Sequence, residues 1–118
     1  MKNQTLLKKF SFAWQGIVYA IKAEANMRRH LWLGAAVLVL FAGLQPAAVW
    51  WALIVLCIGL ILAAELANSA LEALIDYLHP DIHPQIGHVK DMLAGMVLVL
   101  SITAGIIGML AVLSTQGL

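Results

Sequence analysis

The chain has 118 residues, 63% of them hydrophobic and 11% charged, with a formal net charge of +1. Soluble domains carry about 25% charged residues, and one this short could not hide so much apolar surface, so the composition excludes a soluble globule and fits one integral-membrane domain. The net charge itself is uninformative, but the placement of the charges is not; no nucleic-acid partner is expected.

At the N-terminus, Lys2, Lys8 and Lys9 resemble the basic start of a signal peptide. Gln15, Lys22 and Glu24 interrupt the apolar stretch behind them and no small-residue cleavage site follows, so no signal peptide is expected. Leu6, Leu7, Phe10, Trp14, Ile17, Val18 and Ile21 instead recur at helical spacing, within a stripe about 120° wide. The pattern predicts an amphipathic helix over residues 5–29, suited to lying in the membrane surface with its apolar side down. Packing against the protein's own bundle is the alternative. Glu24 breaks the pattern, because it falls at the edge of the apolar stripe and not among the lysines.

From Leu31 to Ala64 the only interruption is Gly43-Leu44-Gln45-Pro46. One helix of that length would measure about 50 Å, too long for a hydrocarbon core of about 30 Å. Two spans, about 29–45 and 47–76, with a tight turn at Gln45-Pro46, fit better. The first is short for a span; snorkelling of Arg28 and Arg29 at its start, and the Trp50-Trp51 pair just past the turn, would help anchor it. Cys57 lies mid-span without a partner and reads as a packing residue. A third span is expected over about 90–115. The fold class is therefore an all-α membrane protein, an N-terminal amphipathic surface helix followed by three transmembrane helices.

Six of the seven basic residues (Lys2, Lys8, Lys9, Lys22, Arg28, Arg29) precede the first span, and Lys90 lies between the second and third. The positive-inside rule puts the N-terminus and the 77–90 loop in the cytoplasm. All six acids, Glu24, Glu65, Glu72, Asp76, Asp81 and Asp91, fall on or near that same side.

Glu65, Asn68, Glu72 and Asp76 are spaced by three, four and four residues. On a helix they lie within about 80° of one another and form a ladder about 16 Å tall. A charged side chain at mid-bilayer costs at least about 2.5–3.5 kcal/mol, so this face must meet protein, water or a cation. Extension of the helix beyond the bilayer would leave Glu72 and Asp76 simply solvated, and Asn68 alone could be helix–helix glue. Glu65, eleven residues nearer the bilayer than Asp76, resists that reading. Lys90 is open to three roles: snorkelling anchor, phosphate contact or ion-pair partner. Asp91, taken as lying near the start of the third span, suits the helix dipole. His79, Asp81, His83 and His88 invite a zinc site, but no cysteine supports it and Pro80 and Pro84 suggest an ordered loop instead.

Glu24, Glu72, Lys90 and an embedded Glu65 at one interface suggest phosphoryl transfer. Mg²⁺ takes carboxylate oxygens together with nucleotide phosphates, and a metal plus a lysine would offset charge on a transferring phosphoryl group. A carboxylate removed from water is a better base, so Glu65 is a candidate to deprotonate a hydroxyl. Neither GxxxxGK[ST] nor a kinase glycine-rich loop is present, so a nucleotide would be held in another way.

These residues resemble the bacterial integral-membrane diacylglycerol kinase and undecaprenol kinase family. The match is carried by Glu65-x-x-Asn68-Ser69-Ala70-x-Glu72-x-x-x-Asp76, then Lys90-Asp91-Met92, with Trp14-x-Gly16 and Glu24 upstream, and extends over about residues 5 to 112. The resemblance implies a homotrimeric helical bundle in the bacterial inner membrane that phosphorylates a lipid hydroxyl with ATP and Mg²⁺. It implies Glu65 as general base, with Asn68 and Lys90 in the catalytic set, and Glu24 and Glu72 as metal ligands. Asp76, Asp81, His83, Lys90 and Asp91 would surround the nucleotide, and Trp14 and Gly16, with Glu65, would meet the lipid. Diacylglycerol-branch members tend to read N-E-A-A-F-R-Q-E around the first glutamate. Here residues 23–30 read A-E-A-N-M-R-R-H, closer to the E-x-N-x-R-x-H of the undecaprenol branch. Two other classes stand beside the kinase: a small proton- or cation-coupled transport subunit, whose acids would form a relay, and an assembly protein whose polar stripe serves packing.

Overall fold

The computed structural model describes residues 5–117; Lys2, one of the basic residues counted above, lies outside them. Four helices follow in order, α1 (Leu6–Ala23), α2 (Ala25–Leu44), α3 (Ala48–Leu78) and α4 (Pro84–Thr115), with no strand among the described residues. The chain is an all-α membrane protein: α2, α3 and α4 are each long and apolar enough to cross a bilayer.

Thr5 starts α1 by accepting a hydrogen bond from the Lys8 amide at 3.3 Å. The helix expected over 5–29 is divided at Glu24, whose backbone is extended at φ −115° and ψ 117°. Neither proline nor glycine causes this break. Arg28, on the first turn of α2, turns back and donates to the Ile21 and Lys22 carbonyls at 2.8 and 2.9 Å. Those carbonyls belong to the last turn of α1 and would otherwise lack partners, so the guanidinium makes the break affordable. Arg28 is thus a staple between two helices as well as a basic residue at a membrane edge.

Gln45 ends α2 in the left-handed conformation (φ 53°), with its amide bonded to the Phe41 carbonyl at 2.8 Å and its side chain donating to Ala42 O at 2.7 Å. Pro46 cannot continue the helix, and α3 restarts at Ala48. Near this turn Phe41, 1% exposed, Ile54 and Ala111 form the buried core, and Phe41 meets Trp51 edge-on with ring centroids 5.5 Å apart. Gly34 lets α2 approach α3, since a Cβ there would come within 3.2 Å of Ile58 Cγ2.

The helix α3 is central and packs against each of the other three. Its 31 residues measure about 46 Å, so roughly a third extends beyond a 30 Å core. The fourth helix begins at Pro84, six residues before the expected start at 90, because His83 caps it by accepting from the Gln85 amide at 3.1 Å and proline suits the first helical position. One consequence corrects the reading of Asp91, which sits in the third turn of α4, beyond the reach of a helix N-terminus. His83 does the capping. Lys90 likewise lies within the helix and not at its start.

Candidate functional site

The polar ladder of α3 lies between α2 and α4. Its innermost rung, Glu65, is 2% exposed. Its Oε1 lies 3.2 Å from His30 Nδ1 of α2, close enough for an ion pair, although the angle falls short of a hydrogen bond. The outermost rung, Asp76, is exposed and accepts from Lys90 Nζ of α4 at 2.5 Å. Both partners keep much of their surface in solvent, so this pair adds little stability. Of the three roles open to Lys90, the structure displays the ion pair, and the bond is weak enough to yield to a phosphate.

The middle rungs differ. Asn68 Oδ1 is buried and has no hydrogen-bond partner. Glu72 is half-buried and, among the described residues, makes no ion pair. Glu24, at the break between α1 and α2, is also half-buried and uses no side-chain atom to cap α2. Two paired rungs therefore bracket two unpaired ones, with a further unpaired carboxylate at the helix break. Buried polar atoms are nearly always satisfied, so the orphaned amide oxygen makes Asn68 a candidate contact for a bound group.

Among the described residues, no three His, Cys, Asp or Glu side chains gather as a metal site. A two-carboxylate set is still suited to Mg²⁺, which keeps waters and substrate phosphates for its remaining positions. Glu24 and Glu72, half-buried and unpaired, have the chemistry for that role.

The other expected site residues are more dispersed. Asp81 and His83 are exposed in the segment between α3 and α4, and Asp91 is exposed on α4. Trp14 is 66% exposed on α1, and Gly16 faces open space. Among the described residues nothing lies within 4 Å of a Cβ built at Gly16.

Sequence reasoning missed His30. The signal was on the page: the E-x-N-x-R-x-H pattern marks a family branch, yet each member has a physical task here. Glu24 forms the break, Asn26 accepts from Arg29 Nη1 at 2.6 Å, Arg28 caps α1 and His30 reaches Glu65.

Comparison with known proteins places the chain in a family. The sequence pattern of the prokaryotic diacylglycerol kinase family matches residues 11–112. A diacylglycerol kinase of Synechocystis sp. is 35% identical over 104 residues, which cover 87% of this chain and 59% of that relative. An undecaprenol kinase of Bacillus subtilis is 33% identical over 103 residues, 87% of this chain and 84% of the relative. A diacylglycerol kinase of Escherichia coli is 31% identical over 102 residues, 84% of this chain and 81% of the relative. With a family pattern spanning most of its length and three helices long and apolar enough to cross a bilayer, the chain belongs to the prokaryotic diacylglycerol kinase family of membrane lipid kinases.

Proposed function

We propose that this protein transfers the γ-phosphoryl group of ATP to the hydroxyl of a membrane lipid, diacylglycerol or undecaprenol, at the cytoplasmic face of a bacterial membrane. The observation that carries this reading is the buried, partnerless Oδ1 of Asn68 beside the half-buried Glu72, which makes no ion pair among the described residues, on the same ladder as the His30–Glu65 and Asp76–Lys90 contacts. A lipid hydroxyl can approach from the bilayer side of that gap, and a nucleotide from the aqueous side.

In this reading Glu65 removes the hydroxyl proton as the oxygen attacks the γ-phosphorus and the bond to the ADP oxygen breaks. Asn68 orients the reacting groups. Lys90 exchanges Asp76 for phosphate, and Asp76, Asp81, His83 and Asp91 line the nucleotide's approach. Glu24 and Glu72 would hold Mg²⁺, which when bound neutralises charge on the phosphates. Trp14 and Gly16 form the lipid-facing edge on α1. The apolar residues Leu6, Leu7, Phe10 and Trp14 are exposed, which supports α1 lying on the membrane surface. The basic residues flanking this end support a cytoplasmic N-terminus.

The active form is a homotrimer, in which a neighbour closes the cleft beside the ladder. A transport relay lacks comparable support, because the hydroxyls of Thr103, Ser114 and Thr115 bond to carbonyls of their own helix.

The test is phosphate transfer in mixed micelles containing ATP, Mg²⁺ and either diacylglycerol or undecaprenol. Incorporation into one lipid in preference to the other is expected and assigns the substrate. Transfer to neither overturns the proposal.

A further inference from the structure

A carboxylate that has left water needs a compensating partner, because an unpaired buried charge is strongly disfavoured. Glu65 is 2% exposed, and among the described residues its one ion-pair contact is His30 Nδ1 at 3.2 Å. The other basic groups nearby in the chain are engaged or distant from it. Arg28 holds the α1 carbonyls, Arg29 holds Asn26, Lys90 holds Asp76, and Lys22 is exposed and makes no ion pair among the described residues. The side chain of His30 is 20% exposed. It stands at the head of an apolar groove lined by Leu33, Gly34, Ile61 and Leu62. The imidazole therefore touches both the buried acid and the apolar approach to it. In the resting protomer its Nδ1 is at contact distance but misaligned, so no hydrogen bond forms.

We propose that His30 is a positioning residue for Glu65. When the lipid binds, Nδ1–H of His30 donates to Oε1 of Glu65. This fixes the carboxylate's rotamer and leaves Oε2 free to receive the hydroxyl proton. The inference rests on the kinase reading above and adds to it the residue that aims the base. An alanine at 30 leaves Glu65 buried without a partner. An asparagine places an amide nitrogen near the position of Nδ1, whereas a glutamine places one near Nε2.

The experiment measures kcat and KM for ATP and lipid in His30→Ala, His30→Asn, His30→Gln and Glu65→Gln, alone and with His30→Ala added to Glu65→Gln. Infrared difference spectra against Glu65→Gln isolate the Glu65 carboxyl band without any need for turnover. His30→Ala is expected to lower kcat about ten- to a hundredfold with KM little changed, the scale of one hydrogen bond to a charged group. His30→Asn should recover most of the loss and His30→Gln little of it. The carboxyl band should move in His30→Ala and return in His30→Asn. His30→Ala should add nothing to the loss in Glu65→Gln. An active wild type whose Asn variant falls as far as the Ala variant, or whose carboxyl band ignores residue 30, overturns the positioning role alone. A wild type that phosphorylates no lipid alcohol overturns the kinase reading, and the role of His30 with it.

Discussion

Replacing Asn68 by leucine separates a binding residue from helix glue by the sign of its effect on stability. Its Oδ1 is buried without a partner, between Glu65 and Glu72 on the ladder of α3. An unsatisfied buried polar group costs about 1–3 kcal/mol, and leucine has a similar branched shape with no polar atom to satisfy. Asn68→Leu should therefore leave the unfolding free energy unchanged or raise it by up to about that amount. Phosphoryl transfer should fall by about 10²–10³, the scale observed when one preorganised polar group is lost from a reacting centre. Stability is read by titrating sodium dodecyl sulfate into protein in mixed micelles and following helicity by circular dichroism. Turnover is read by ADP release under the same conditions. A variant that loses more than about 1 kcal/mol of stability along with its activity would refute the reasoning, since Asn68 would then be a satisfied interhelical contact.

Further expectations concern the metal ligands, the helix break and the α2–α3 approach. Glu24→Gln and Glu72→Gln should each raise the Mg²⁺ concentration needed for half-maximal rate by about tenfold or more, a scale reached even by losing indirect support of a metal ligand; identical Mg²⁺ titrations for both variants and wild type would remove the assignment. Arg28→Met loses the bonds of 2.8 and 2.9 Å to the end of α1. Allowing for solvent exposure, that should destabilise the junction by about 1–3 kcal/mol and speed tryptic cleavage after Lys22; an unchanged cleavage rate counts against the staple. Gly34→Leu must push α2 from α3, because even a Cβ would lie 3.2 Å from Ile58. The expected cost is about 1–3 kcal/mol, with a fall in turnover because His30 lies one turn away; full stability and activity would show that the contact is slack.

Much of this protein was readable from residue types and their spacing. The apolar runs admitted only membrane helices, because a bilayer core offers no hydrogen bonds to any other open structure. The three-four-four spacing of Glu65, Asn68, Glu72 and Asp76 put them on one helical face, because the period of the α-helix is set by backbone geometry alone. The helix ends were less readable. The break at Glu24 depends on Arg28 reaching back across it, and the early start of α4 depends on His83 and Pro84, local bonds that hydrophobic period does not record.

Partnership is what only the tertiary structure decided. That Glu65 meets His30, that Asp76 takes Lys90, and that Asn68 and Glu72 take neither, follow from how α2 and α4 lie against α3. Residues 35 and 14 positions apart in sequence become neighbours only when helices cross, and a one-dimensional period carries no term for the crossing. Spacing along one helix therefore determined which acids share a face, and packing between helices decided which of them are left free to bind.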